Sequence, residues 1–139
     1  MGPRGPVFVL IYCILILEFS LRRMKRISSH TIGMDQGTLE LFSDFQDGGE
    51  MWTGSGPRKA SRAIEFSEAF TAQPMVQVSL TMWDMGSDSN ARADIRAENV
   101  TETGFDLVFR TWSDTRIARV SASWLAIGDV ADPEQWDLY

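Results

Sequence analysis

Residues 90–128 read NARADIRAENVTETGFDLVFRTWSDTRIARVSASWLAIG, and their periodicity decides the fold. Between Ala91 and Val100, the residues Ala91, Ala93, Ile95 and Ala97 alternate with Arg92, Asp94, Arg96 and Glu98. That two-residue period predicts a strand with one apolar face and one solvated or partner-facing charged face. Thr101-Glu102-Thr103-Gly104 supplies a hairpin turn, and Phe105 to Trp112 predicts the next strand, with Phe105, Leu107 and Phe109 inward. Ser113-Asp114-Thr115 turns the chain again. From Arg116 to Gly128, Ala118, Val120, Ala122, Trp124 and Ala126 are set against Ile117, Arg119, Ser121, Ser123, Leu125 and Ile127. The second half of that strand is apolar on both faces, as suits a central strand or one packed on another subunit.

Working upstream, Met75 to Met85 is a further strand, in which Val76, Val78, Leu80 and Met82 alternate with Gln77, Ser79 and Thr81. Arg62 to Phe66, with Phe70 nearby, reads as a short strand ending before Pro74. The stretch DFQDGGEMWTGSGPRKAS carries Gly48, Gly49, Gly54, Gly56 and Pro57, which predict an irregular loop anchored to the body by Trp52. Thr38 to Ser43 predicts the first strand, with Leu39 and Leu41 on one face and Phe42 on the other, in a folded part that begins near Asp35. About six strands with short turns and no long helical pattern predict an all-β fold, a small six-stranded antiparallel β-sandwich.

The chain has 139 residues and divides into an N-terminal basic and hydrophobic segment at 1–33, the sandwich at 34–128, and an acidic tail at 129–139. The apolar run Val7 to Leu17 sits between a basic start and Arg22, Arg23, Lys25 and Arg26. It is short for a membrane span and lacks a small-x-small cleavage signal. It reads either as a signal-anchor or as sequence upstream of a true start at Met24, and we favour the latter. A membrane is a partner only in the first case, and the compartment stays open between the cytoplasm, secretion and the cell surface.

Of 13 basic residues, five lie within the first 26, together with one of the 19 acidic residues, so the rest carries 8 against 18, or about −10. So acidic a body repels phosphate, and nucleic acid is not an expected partner. The single cysteine, Cys13, permits no intrachain disulfide, and one histidine, His30, leaves almost no material for zinc, haem or a catalytic triad. Asp84, Asp88 and Asn90 offer oxygen ligands at a spacing that matches no calcium loop. Asp84 with Asp88 or Asp94 is a poor glycosidase pair on a surface rich in acids. Asn99-Val100-Thr101 matches a short glycosylation sequon. We therefore expect no enzyme, no cofactor and no metal.

The constellation with chemical promise is Arg92, Trp112, Ser113 and Asp114, near strand ends where loops gather. A sugar needs a planar aromatic for its C–H face and groups that hydrogen-bond two hydroxyls at once, and arginine is the fork-shaped donor. The plain alternative pairs Arg92 with Asp94 or Asp114 and uses Trp112 to cover the sheet edge.

The run from Arg58 to Gly128 resembles the H-type lectin domain family, that of the snail agglutinins and the C-terminal part of the slime-mould discoidins. The landmarks are AIEFSEAF with Pro74, VQVSLTMWD, NARADIRAENVTETGF, RTWSDTRI and SASWLAIG, in order; Gly48 to Arg58 extends them. The resemblance implies a sandwich that assembles as a homotrimer and binds galactose or N-acetylgalactosamine, without calcium, in clefts between protomers. By position it implies that Arg92 is the sugar-binding arginine, with Trp112 its aromatic neighbour and Asn90 beside it. Gly54 and Ser55 fall on the loop where the family places an acidic acceptor, Ser113 stands where the snail proteins have histidine, and Ala118 where a neighbour's aromatic contributes. The expected function is thus a carbohydrate-binding, adhesion-type module using Arg92, Trp112, Asn90, Ser113, Asp114, Ser55 and Gly54. The alternatives are a sugar-blind trimeric structural module of a cell-surface or phage-like appendage and, more distantly, a hydrolase using Asp84 or Asp94.

Overall fold

The computed structural model describes residues 24–28 and 30–133. The stretch before Met24, on which the signal-anchor and internal-start readings fall, and the tail after residue 133 lie outside the described residues. Among those described, six strands form two antiparallel sheets. One contains β1 (Ile32–Ser43), β3 (Met75–Met85) and β6 (Ile117–Asp129) in the order β1-β6-β3. The other contains β2 (Arg58–Glu65), β4 (Asp94–Glu98) and β5 (Gly104–Thr111) in the order β2-β5-β4. No described helix is long and apolar enough to cross a membrane.

The two central strands, β5 and β6, supply most of the core. Leu107 and Phe109 on β5 and Ile117, Val120, Ala122 and Ala126 on β6 are fully buried. The small alanines of β6 leave room for rings, and Trp124 meets Phe105 and Phe66 at centroid distances of 5.5 and 5.9 Å. Each fully buried large side chain contributes roughly 1.5–3 kcal/mol. Register follows the alternation: Ile95 pairs with Phe109 and Ala97 with Leu107 on the core side, while Asp94 pairs with Arg110 on the outside. Gly104 is required at the hairpin because a β-carbon there would run into the Ile64 carbonyl of β2.

Several local expectations change. β1 bulges between Glu40 and Phe42, which returns Phe42 to the core side opposite Val120. Phe42 therefore joins Leu39 and Leu41 on the core face, 5.7 Å from the Phe109 ring. A matching bulge between Leu80 and Met82 of β3 sets Met82 across from the outward-facing Ser121 and leaves Trp83 exposed. The glycine-rich connection after β1 is not irregular throughout. It forms two single helical turns, α1 (Asp44–Asp47) and α2 (Glu50–Thr53), because Gly48 takes φ 64° between them and the Asp44 carboxylate accepts the Met51 N–H at 2.9 Å. Met51, 2% exposed, pins this segment to the core.

The outer face of the β1-β6-β3 sheet is open. Register aligns Met34, Ile127 and Met75 in one row, Gln36, Leu125 and Gln77 in the next, and Thr38, Ser123 and Ser79 in a third. Met34, Met75 and Leu125 are exposed.

Candidate functional site

Three connections meet at one end of the sandwich. β2 starts opposite the end of β5 (Arg58 with Thr111), β4 starts near the same level (Asp94 with Arg110), and β6 starts opposite the end of β3 (Ile117 with Met85). The segments 44–57, 86–93 and 112–116 are therefore brought together.

The backbone of residues 90–92 does not continue the β4 ladder, which opens only at Asp94. Two buried hydroxyls take its carbonyls instead: Thr115 Oγ1 donates to Asn90 O at 2.5 Å and Thr111 Oγ1 to Arg92 O at 2.7 Å. This detached segment directs Arg92 toward the 112–116 turn. Arg92 Nη1 forms an ion pair with Asp114 Oδ1 and also donates to Thr115 Oγ1 at 3.3 Å. The hydrogen bond from Arg92 is the main cause holding the Asp114 carboxyl below the usual carboxylate range, against the opposing effect of desolvation. Its charge and backbone N–H groups from Asp114 itself and Asn90 add to the lowering. The pair is partly open to solvent, with the Arg92 side chain 26% and that of Asp114 53% exposed.

The other expected residues lie on the same three connections. Asn90 is exposed, with its carbonyl fixed by Thr115. Trp112 is exposed and lines an open groove of about 270 Å³ with Pro57, Lys59 and Arg110, and no described cation–π contact joins it to Arg92. Ser113 is held in the left-handed region at φ 61°, and its carbonyl accepts the Gly56 N–H at 2.9 Å. That bond ties the Gly54-Ser55-Gly56 loop to the turn. Ser55 is exposed, and Gly54 sits where a β-carbon would press on the Glu50 carbonyl and the Arg58 stem.

Trp52 anchors its segment as expected: its ring meets Phe45 edge-on at 5.1 Å and lies 4.3 Å beneath the Arg116 guanidinium. Arg116 Nε also donates to the Trp52 carbonyl at 3.0 Å. Ala118 is buried in a shallow recess with Phe45, Asp84 and Arg119. Asp84 pairs with Arg119 and Asp94 with Arg96. Among the described residues no group of three or more His, Cys, Asp or Glu is arranged to hold a metal ion.

Three contributors escape a sequence reading. Thr111 and Thr115 hold the 90–92 backbone, and Arg58, only 6% exposed, joins the loops from beneath. Thr111 leaves a readable signal, since it continues the inward set Phe105, Leu107, Phe109 with a polar residue, and a buried hydroxyl must find a partner.

The chain is thus a sandwich of two three-stranded antiparallel sheets with a partly exposed arginine–carboxylate pair among its end loops, and comparison with known proteins assigns its class. The H-type lectin domain model matches residues 61–127. The chain is 56% identical over 108 residues to the protein ATP synthase subunits region ORF 7 of Fuscovulum blasticum, covering 78% of this chain and 94% of that one. It is 31% identical over 75 residues to a discoidin-1 polypeptide of Dictyostelium discoideum, covering 53% of this chain and 30% of that one. In structure it is similar to native recombinant discoidin II of Dictyostelium discoideum, with a TM-score of 0.62 and 22% identity over 76% of this chain and 40% of that one. The chain thus spans less than half the length of either discoidin. It belongs to the H-type lectin domain family, and is in general terms a carbohydrate-binding lectin module.

Proposed function

We propose that the protein binds galactose- or N-acetylgalactosamine-type sugars, without calcium and without turnover, at clefts between the protomers of a homotrimer. The pairing of Arg92 with Asp114 is what the plain alternative also expects, so the observation that carries this reading is the pair's partial exposure, 26% and 53%, at the end where three connections converge. Arg92 donates to sugar hydroxyls and Asp114 accepts from them, so one fork-shaped donor and one carboxylate engage neighbouring hydroxyls together. Trp112 offers an apolar ring to the C–H face of the sugar, while Asn90, Ser113, Ser55 and the Gly54 backbone supply polar contacts around it. The acid that the resemblance expects on the Gly54-Ser55 loop is absent, and Asp114 takes the acceptor role from the opposite turn.

The homotrimer is supported by the open outer face of the β1-β6-β3 sheet, where Met34, Met75 and Leu125 are exposed in three adjoining strands. Burying them against a second copy removes apolar surface from water. Three clefts on one assembly multiply a weak single-site affinity, which suits adhesion to a glycan-bearing surface. A glycan array probed with the purified protein in excess chelator tests the reading. Signal confined to glycans ending in galactose or N-acetylgalactosamine is expected. A stable trimer with no glycan signal, even against millimolar free sugar, refutes it in favour of a sugar-blind structural module.

A further inference from the structure

We propose that Arg58 is the positioning residue of this cleft, a buried fork that sets the 50–56 segment and the 113–115 turn at a fixed separation before any sugar arrives. The inference rests on the reading of Arg92 and Asp114 as the sugar-binding pair. Arg58 opens β2 directly after Pro57 and pairs in register with Thr111, the inward-facing hydroxyl of β5. A guanidinium this buried commonly sits against a carboxylate. Here every described hydrogen bond it makes goes to a backbone carbonyl. Nε donates to Gly56 O at 2.9 Å, and Nη1 donates to Met51 O at 3.1 Å and Glu50 O at 3.4 Å. Nη2 donates to Thr115 O at 2.7 Å and Ser113 O at 3.2 Å.

The acceptors fall into two groups. Nε and Nη1 hold the segment that carries Gly54 and Ser55. Nη2 holds the turn that carries Ser113, Asp114 and Thr115. A planar guanidinium has donors on opposite edges at fixed angles and so can bridge two chain segments, whereas an ammonium is a point donor on a flexible stem. The Ser113 carbonyl receives two donors, Gly56 N–H and Arg58 Nη2, which together hold that peptide in its left-handed conformation. The orientation of Ser113 in turn aims the next residue, Asp114, at Arg92. Thr115, whose carbonyl is the nearest acceptor of Arg58, presents its hydroxyl to both Asn90 and Arg92. Arg58 lines the Trp112 groove, but its described hydrogen bonds all go to backbone carbonyls, so it acts on the sugar through the two segments it holds. A site preset in this way binds without first ordering its loops.

The test compares wild type, Arg58→Lys and Arg58→Met by titration with methyl α-galactoside and methyl α-N-acetylgalactosaminide. Amide exchange and ¹⁵N relaxation dispersion are recorded on the same samples. For a folded variant, whose six-strand fingerprint matches wild type, at least a tenfold rise in Kd is expected. Exchange broadening should be confined to residues 54–56 and 113–115, with at least tenfold faster exchange of the Gly56 amide, and lysine should not rescue. A merely structural arginine lowers the melting temperature but leaves Kd of the folded protein and these amides unchanged, and that result overturns the proposal. If wild type binds neither glycoside, the sugar reading fails by itself and the loop amides still decide the clasp. If neither variant folds, the wild-type Arg58 Nη protons decide: separate, slowly exchanging signals uphold the clasp, and a single averaged signal from a rotating guanidinium overturns it.

Discussion

Replacing Arg92 with methionine removes the guanidinium while keeping an unbranched stem, so binding and folding can be separated at one position. In the folded protein the lost contacts are the ion pair with Asp114 and the 3.3 Å hydrogen bond to Thr115 Oγ1. Water screens that pair, since more than half of the Asp114 side chain is exposed, and screened ion pairs contribute little to stability. Thr115 keeps its own donation to Asn90 O, so no buried hydroxyl is orphaned. The melting temperature should therefore move by no more than about 4 °C, the shift of a minor perturbation in a domain of this size. Sugar binding loses much more. Two hydrogen bonds from a charged donor, each worth about 1.5 kcal/mol, sum to about 3 kcal/mol, or a rise of roughly 150-fold in Kd. Calorimetric titration with a galactoside beside a thermal melt reads both quantities. An unchanged Kd would remove Arg92 from the site. A melting temperature lowered by more than about 10 °C, with binding tracking the folded fraction, would make Arg92 a structural staple instead.

Gly104→Ala should lower stability by about 2–3 kcal/mol in urea or thermal unfolding, because the added carbon meets the backbone carbonyl of Ile64 and not a movable side chain; an unchanged midpoint would mean that β2 and β5 separate freely there. Asp114 and Asp35 both have carboxyls held below their ordinary range, Asp114 chiefly by Arg92 and Asp35 chiefly by the Ser67 backbone N–H. A depressed folded-state value means that stability is fully present above the unfolded value and is lost as pH falls through the folded one. Melting temperature should thus be level from about pH 5 to 8 and fall below about pH 4, and Asp35→Asn should lessen that acid fall. Leu125→Glu, on the open outer face between Gln36 and Gln77, should leave the monomer folded, with a stability change within about 1 kcal/mol, and should abolish association in sedimentation velocity; an intact trimer would place the contact between protomers elsewhere.

The strands were legible where one face is buried and the two-residue period runs unbroken. β5 and β6 are the clearest cases, since Phe105, Leu107 and Phe109, and Val120, Ala122, Trp124 and Ala126, all face inward as their alternation requires. Legibility failed where an extra residue shifts the phase. The bulge before Phe42 turns a ring inward that simple alternation sends out, and the one before Met82 does the reverse. A bulge leaves no mark in the pattern itself, because its position depends on how the neighbouring strand is paired. The same dependence makes β4 begin late, at Asp94. Residues 91–93 alternate like a strand, but the hydroxyls of Thr111 and Thr115 capture the carbonyls on either side before a ladder can form.

The site divides along the same line. Arg92 and Asp114 can be read as a charge pair because side-chain chemistry is written in residue identity. Arg58 cannot be so read, because its acceptors are the carbonyls of Glu50, Met51, Gly56, Ser113 and Thr115, and every residue has a carbonyl. This difference bears on what selects the sugar. Donor and acceptor both come from the 90–92 and 112–116 segments, while the Gly54-Ser55 loop offers a hydroxyl and backbone groups. At the proposed site the angle between the Arg92 donors and the Asp114 oxygens would set which pair of hydroxyls fits, and that angle follows from the backbone of Ser113. In a module built this way, specificity between epimers should respond to substitutions that tilt the 113–115 turn as strongly as to those that contact the sugar, because a carboxylate turned on its own loop meets a different hydroxyl without any change in its chemistry.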